Sequence, residues 1–313
     1  MELINFLKKL AFVFKGSMSQ GFGHVARTAY IYKNLNNVKC YFLFNGDKNL
    51  LNNLFDSNVF YFENEIELIE KLKFINADWV IFDRQKNPLN TILSVRTDKT
   101  KTFIIEDEDM NPQNTDILWD ANKNFASDID NFYTGAKNFI LNPIIENYCK
   151  NKINKKTNSI FISLGGTDVR ENIPFLIKNL KDKYFLNILP GIRYNEYLKY
   201  KGLNVNILNN KTIFYDFAQK SDIGIVSGGI TMYEFVKMNI PTLVWPQVHH
   251  QIKSVEQLEK LKIVKKIAYY NNTVNKIIDF AENYKERHDL FINMKKFEIG
   301  HGFKKVKKIL EET

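Results

Sequence analysis

Residues 12–32 read FVFKGSMSQGFGHVARTAYIY, an apolar run, a Gly/Ser loop and then a helical pattern opening at His24. The run is too short and too β-branched and aromatic for a helix, so Ala11 to Lys15 are expected to form the first strand. Leu3, Phe6, Leu7 and Leu10 recur at helical spacing, which predicts a short amphipathic helix ahead of it. Gly21 and Gly23 let backbone approach a ligand, and free N–H groups at a helix start attract anions. A histidine at that turn, with an ordinary pKa near 6.5, suits proton transfer. Two other readings stay open. Gly21 to Ala26 also fit the dinucleotide pattern GxGxxA with Asp47 as a ribose acid, although GSMSQ intervenes between strand and glycine. The turn could equally be purely structural.

The same grammar recurs along the chain. CYFLF at 40–44, WVIFD at 79–83, TFIIED at 102–107 and DILWD at 116–120 alternate with stretches of helix length. The second half continues with SIFISLGG, YFLNILPG, LNVNILNN, IGIVSGG and TLVWPQ and ends in a Lys-rich helical pattern. Such alternation predicts parallel, doubly wound α/β sheets. The polar stretch KNKINKKTN at 150–158 reads as a linker, so the expected domains are 1–150 and 151–313, two Rossmann-like domains facing a cleft. The closing stripe of Phe303, Val306, Ile309 and Leu310, set among lysines, reads as a helix packed on its own domain in preference to a membrane-surface helix.

With 313 residues, 44% hydrophobic and 25% charged, and a mean hydropathy of −0.31, the chain belongs with globular proteins, and disorder, collagen and coiled coil are excluded. Cys40 and Cys149 lie in no metal or disulfide pattern, which indicates a cytoplasmic protein without a metal site or cofactor. Lys8 and Lys9 interrupt the apolar N-terminus, and no stretch is long enough for membrane insertion. Forty-four basic against 35 acidic residues leave +9, dispersed as Lys rather than clustered with exposed aromatics; this argues against nucleic acid and suits the attraction of an anionic small substrate.

Three further segments carry candidate chemistry. In IGIVSGGITMYEFVKMNIP (223–241), Ser227, Gly228 and Gly229 form a tight turn before a helix from Thr231 to Met238. Amides of Gly228, Gly229 and Ile230 are expected to face a diphosphate, with Thr231 beside them, and Glu234 is placed to accept ribose hydroxyls. FISLGGTD (161–168) puts Gly165, Gly166 and Thr167 at the mouth of another strand. Asp83 and Asp107 end strands in the first half and are candidates to orient the histidine or a sugar.

GFGH with Arg27, Asp83, IIEDEDMNPQNTDILWDAN, SLGGTD with Asn172, and SGGITMYE followed by Gln251 and Leu258 together resemble the UDP-sugar hydrolases of pseudaminic acid biosynthesis. These are cousins of the transferase that adds N-acetylglucosamine to the peptidoglycan lipid precursor. The resemblance covers roughly residues 11–262, most specifically 21–27, 103–122, 160–172 and 221–258. It implies a glycosyltransferase B fold and a UDP-sugar substrate cleaved at the anomeric C–O bond without a metal. It further implies that His24 is the catalytic base, that Glu234 is the ribose ligand and that Ser227, Gly228 and Gly229 hold the diphosphate; Asp83 is read beside it as the partner of His24, Gly165 and Gly166 as further nucleotide contacts, and Gly21, Gly23, Arg27, Asp107, His250 and Gln251 as substrate contacts. The chain differs from the hydrolases in Arg84-Gln85 after Asp83, in His250 ahead of Gln251 and in NFILNPIIE near the domain junction. These differences lie at the sugar end, which keeps an inverting glycosyltransferase, with the N-terminal apolar segment as an acceptor-docking element, as the alternative. A nucleotide-sugar binder without catalysis is the third reading.

Overall fold

The computed structural model describes residues 7–17, 23–51, 54–56, 58–107, 109–123, 131–166, 168, 171–209, 213–268 and 272–312, and all but the side chains of Ile192 and His250 within them. Gly21, Thr167, Leu3 and Phe6 lie outside the described residues. The chain divides into two compact units, Met1–Asn142 with Gly300–Thr313, and Pro143–Ile299.

The first unit runs β1 (Lys8–Gly16), α1 (Gly23–Lys33), β2 (Val38–Gly46), β3 (Val59–Tyr61), α2 (Glu65–Ile75), β4 (Trp79–Asp83), α3 (Leu89–Val95), β5 (Lys101–Ile105), β6 (Ile117–Asp120) and β7 (Phe132–Thr134). Its sheet has the order β3-β2-β1-β4-β5-β6-β7, with every pairing parallel. Because the strands are apolar on both faces, alternate residues feed two separate layers. Leu10, Phe12, Phe14, Phe42, Phe44, Trp79, Ile81, Phe103 and Trp119 join Val25, Ala29 and Ile31 of α1 on one face. Ala11, Val13, Leu43, Val80, Phe82, Ile104 and Leu118 pack against Leu68, Leu72 and Ile75 of α2 and Ile92 and Val95 of α3 on the other.

The second unit runs β8 (Ser159–Ser163), α4 (Asn172–Leu180), β9 (Phe185–Ile188), α5 (Tyr194–Tyr197), β10 (Val205–Ile207), α6 (Phe214–Lys220), β11 (Ile223–Val226), α7 (Ile230–Lys237), β12 (Thr242–Val244), α8 (His250–Lys260), β13 (Lys265–Lys266), α9 (Thr273–Glu282) and α10 (Tyr284–Lys296). Its order is β10-β9-β8-β11-β12-β13, again with every pairing parallel. In both sheets the first strand is central, and the chain builds outward to one edge before crossing to the other side. That reversal leaves a switch point beside the first strand, where loops on the two sides diverge and leave room for a ligand.

Several expectations are corrected. Leu10, expected on a helix, is a fully buried strand residue in the aromatic layer, because β1 begins at Lys8. The division between units falls after Asn142 rather than at residue 150. The final helix α11 (Gly302–Glu312) belongs to the first unit, where Phe303, Val306 and Leu310 complete the layer that holds α1. Its apolar stripe is covered by protein, as expected, but by the unit at the other end of the sequence. Gly302 permits this docking, since a Cβ there would lie 2.2 Å from the Asn138 carbonyl oxygen. None of the described helices is long and apolar enough to cross a membrane.

Candidate functional site

In the first unit, α1 begins at Gly23 and presents His24 at the carboxyl edge of the sheet, while Asp83 is the last residue of β4, which pairs directly with β1. The two residues therefore meet at the switch point. His24 Nδ1 lies 2.6 Å from Asp83 Oδ1. Arg27, one turn further along α1, donates from Nε to Asp83 Oδ2 (2.9 Å) and from Nη2 to Asp83 Oδ1 (2.6 Å). Its remaining Nη1 donates to Glu106 Oε1 at 2.6 Å.

This arrangement has a definite protonation pattern. Burial alone would raise the Asp83 carboxyl, but the charge of Arg27 and the hydrogen bonds from Arg27 and His24 outweigh it and hold the group well below the usual carboxylate range. Arg27, whose burial opposes its charge, is held well above its ordinary value by Asp83 and Glu106. An ionised Asp83 can only accept, so His24 donates from Nδ1 and Nε2 carries the free lone pair. The His24 side chain retains 18% exposure against 2% for Asp83, which leaves a reactive nitrogen at the surface of a buried charge cluster. Arg27, expected to touch substrate, is instead turned inward as a brace for Asp83.

Asp107 also has a different assignment from the one expected. Its Oδ2 accepts from the backbone N–H and side-chain amide of Asn87, both at 2.8 Å, and its Oδ1 accepts from Asp109 N. Arg84, a departure from the hydrolase pattern, is buried, donating to Asn87 Oδ1 and through both Nη atoms to Glu65. Asp107 and Arg84 thus lock the loop that follows Asp83. Glu106 was not among the residues singled out from the sequence; four acids stand together at 106–109, and nothing in their order tells which one faces α1.

In the second unit the loops after β8 and β11 lie at the corresponding switch point. Gly165 has φ +94°, a conformation open to glycine. Gly191 (φ +66°), after β9, sits so close that a Cβ would come within 2.2 Å of the Gly166 carbonyl oxygen. Replacing Gly191 by alanine is therefore expected to cost more than about 2 kcal/mol, through combined strain and overlap. Urea unfolding of the variant measures this, and an unchanged midpoint would refute the close approach of the two loops. Asp168 is fully buried and accepts from Asn172 N, Ile173 N and the Tyr197 hydroxyl, capping α4 just beyond the glycine loop.

Ser227 N–H donates to the Ser163 carbonyl, which ties the two loops together. Gly228 N–H, expected to face a diphosphate, donates instead to Gln251 Oε1 (3.2 Å), which also accepts from Gln247 N (2.9 Å). With its carbonyl end so engaged, the Gln251 amide nitrogen is turned toward Gly229, 3.6 Å from where a Cβ would stand. Gly229 precedes α7, and the amides of Ile230 and Thr231 lie in its first turn, where intrahelical acceptors are lacking. Glu234 is buried, and its Oε1 accepts from the Tyr215 hydroxyl at 3.0 Å, so its carboxylate faces α6. His250 opens α8.

No protein-family model matches the chain. The spore coat polysaccharide biosynthesis protein SpsG of Bacillus subtilis is 21% identical over 270 residues, covering 75% of this chain and 76% of that protein. Among solved structures, MurG of Acinetobacter baumannii has a TM-score of 0.66 at 12% identity and covers 98% of this chain and all of that one. UDP-GlcNAc 2-epimerase of Neisseria meningitidis, solved with UDP-GlcNAc bound, has a TM-score of 0.62 at 14% identity over 97% of this chain and all of that one. The fold is of the glycosyltransferase B type. In this glycosyltransferase B chain, each of the two parallel sheets carries its candidate residues at its own switch point: His24, Asp83 and Arg27 in the first, and the Gly165 and Ser227 loops in the second.

Proposed function

We propose that the protein is a glycosyltransferase that uses a UDP-sugar, with its base in the first unit and its nucleotide-holding loops in the second. The observation that carries this is the His24 and Asp83 pair, in which Nδ1 is bound to a buried carboxylate and Nε2 is left free to take a proton. His24 Nε2 accepts the proton of an acceptor hydroxyl as that oxygen attacks the anomeric carbon. The anomeric C–O bond breaks, its electron pair leaves with UDP, and the configuration inverts. In the second unit, amides opening α7, together with the Gln251 amide, are suited to the charge that develops on the departing diphosphate. The similarity to SpsG, named for spore coat polysaccharide biosynthesis, supports a reaction on an activated sugar.

Hydrolysis is the second reading, favoured by the hydrolase-like residues at 21–27 and 221–258, with water in place of the hydroxyl. The test is UDP release from a panel of UDP-sugars, in water alone and with carbohydrate acceptors added, followed by proton NMR of the product anomer. UDP release that depends on an acceptor, with an inverted glycoside as product, is the expected result. Rapid release in water with an inverted free sugar would install hydrolysis instead, and absence of UDP binding would remove the nucleotide-sugar reading altogether.

A further inference from the structure

Glu106 is part of the charged chain behind His24. It follows β5 with φ +56°, in the left-handed region that non-glycine residues seldom occupy, and its N–H donates to the Trp119 carbonyl at 2.8 Å. This turn separates two neighbouring acids: Asp107 goes to Asn87, while Glu106 goes to Arg27. Among the described residues, the groups facing His24 are Asp83 from β4 and Arg27 from its own helix; Arg27 Nη2 is 3.3 Å from the imidazole Nδ1. Beyond Glu106 stands Asp120 at the end of β6, with Lys123 Nζ 3.5 Å from it. Lys15, at the end of β1, exerts its charge on Glu65.

A charge count separates the roles. Asp83 draws a proton onto His24, but Arg27, which fixes Asp83 in place, cancels that charge and lies close enough to repel an imidazolium. With Glu106 ionised, the trio of Asp83, Arg27 and Glu106 carries one net negative charge. Without it the trio is neutral.

We propose that Glu106 is a positioning residue that offsets the charge of Arg27, so that Arg27 can brace Asp83 without depriving His24 of its affinity for a proton. The proposal deepens the reading of His24 as the general base and rests on it for its catalytic meaning, while the charge effect itself is measured without turnover.

The experiment is a titration of the histidine ring resonances in the 15N-labelled full chain, with His24 assigned by its loss in His24→Gln. In Glu106→Gln the His24 pKa is expected to fall by about half a unit to one unit, the size of one partly screened charge removed from a neighbouring site. The acid limb of kcat/KM should follow it to lower pH while the plateau drops, because a weaker base remains. A merely structural role would lower activity without moving the limb. A His24 pKa within about 0.2 unit of the parent would overturn the proposal. Should Glu106→Gln fail to fold, Glu106→Asn removes the same charge with a residue that accepts the left-handed backbone. If the His24 pKa falls as expected but neither protein turns over any UDP-sugar, the charge role of Glu106 stands and the transferase reading falls.

Discussion

Replacing His24 by alanine is expected to reduce turnover by about 10²- to 10⁴-fold, the contribution of a positioned general base, while UDP binds within about twofold of the parent. The separation follows from where the groups lie. The imidazole belongs to the first unit, and the loops suited to the diphosphate belong to the second. The substitution leaves Asp83 still held by two hydrogen bonds from Arg27, so the buried pair survives. Calorimetric titration with UDP and initial rates on the best UDP-sugar supply the two numbers. Turnover close to the parent would remove His24 from the chemistry, and loss of UDP affinity together with rate would show that His24 is a binding residue.

Asp83→Asn has the other large effect, and it divides into two. First, the amide can present an N–H to His24 Nδ1, which moves the ring proton to Nε2 and blocks the atom that accepts a proton; turnover is expected to fall at least as far as in His24→Ala. Second, the charge of Arg27 loses its bidentate partner inside the protein. Breaking a buried pair by removing one member costs about 3–5 kcal/mol. The sign of the pH dependence is fixed by the direction of the Asp83 shift. A carboxyl held low in the folded state adds stability that is fully present above its unfolded pKa of about 3.9 and is lost as pH falls through the folded value. The stability gap between parent and Asp83→Asn should therefore be at full width at pH 7 and much narrower at about pH 2, well below the unfolded pKa. Urea midpoints at those two pH values measure it, and a gap independent of pH would assign the loss to packing instead of charge.

Much of the architecture was legible in the order of apolar runs. WVIFD, SIFIS and IGIV are buried on both faces, and such runs separated by helical stretches mark parallel strands. Val59–Tyr61, Phe132–Thr134 and Lys265–Lys266 went unread, being strands of two or three residues that lie at or beside sheet edges and show no period. The boundary after Asn142 was hidden for another reason: a polar segment such as 150–158 marks exposure, whereas membership of a unit depends on which core a helix completes. In the site, His24 and Asp83 were legible because a turn after one strand and the end of a neighbouring parallel strand must lie side by side. The protein partners of Arg27, Asp107, Gly228 and Glu234 were not, since residue type shows that a group can bind but not what it binds. Arg27 is bound to Asp83, Asp107 to Asn87, Gly228 to Gln251 and Glu234 to Tyr215.

The helix Gly302–Glu312, which returns to the first unit, bears on how the chain is made. A ribosome emits every residue of the second unit before it emits this helix. Until then Phe12, Phe42 and Trp119 belong to a layer that still lacks Phe303, Val306 and Leu310. The second unit, continuous in sequence, can settle before that layer is complete. Any slowing of translation between residues 143 and 299 lengthens the interval in which the aromatic layer of the nascent first unit is open to chaperones or to aggregation.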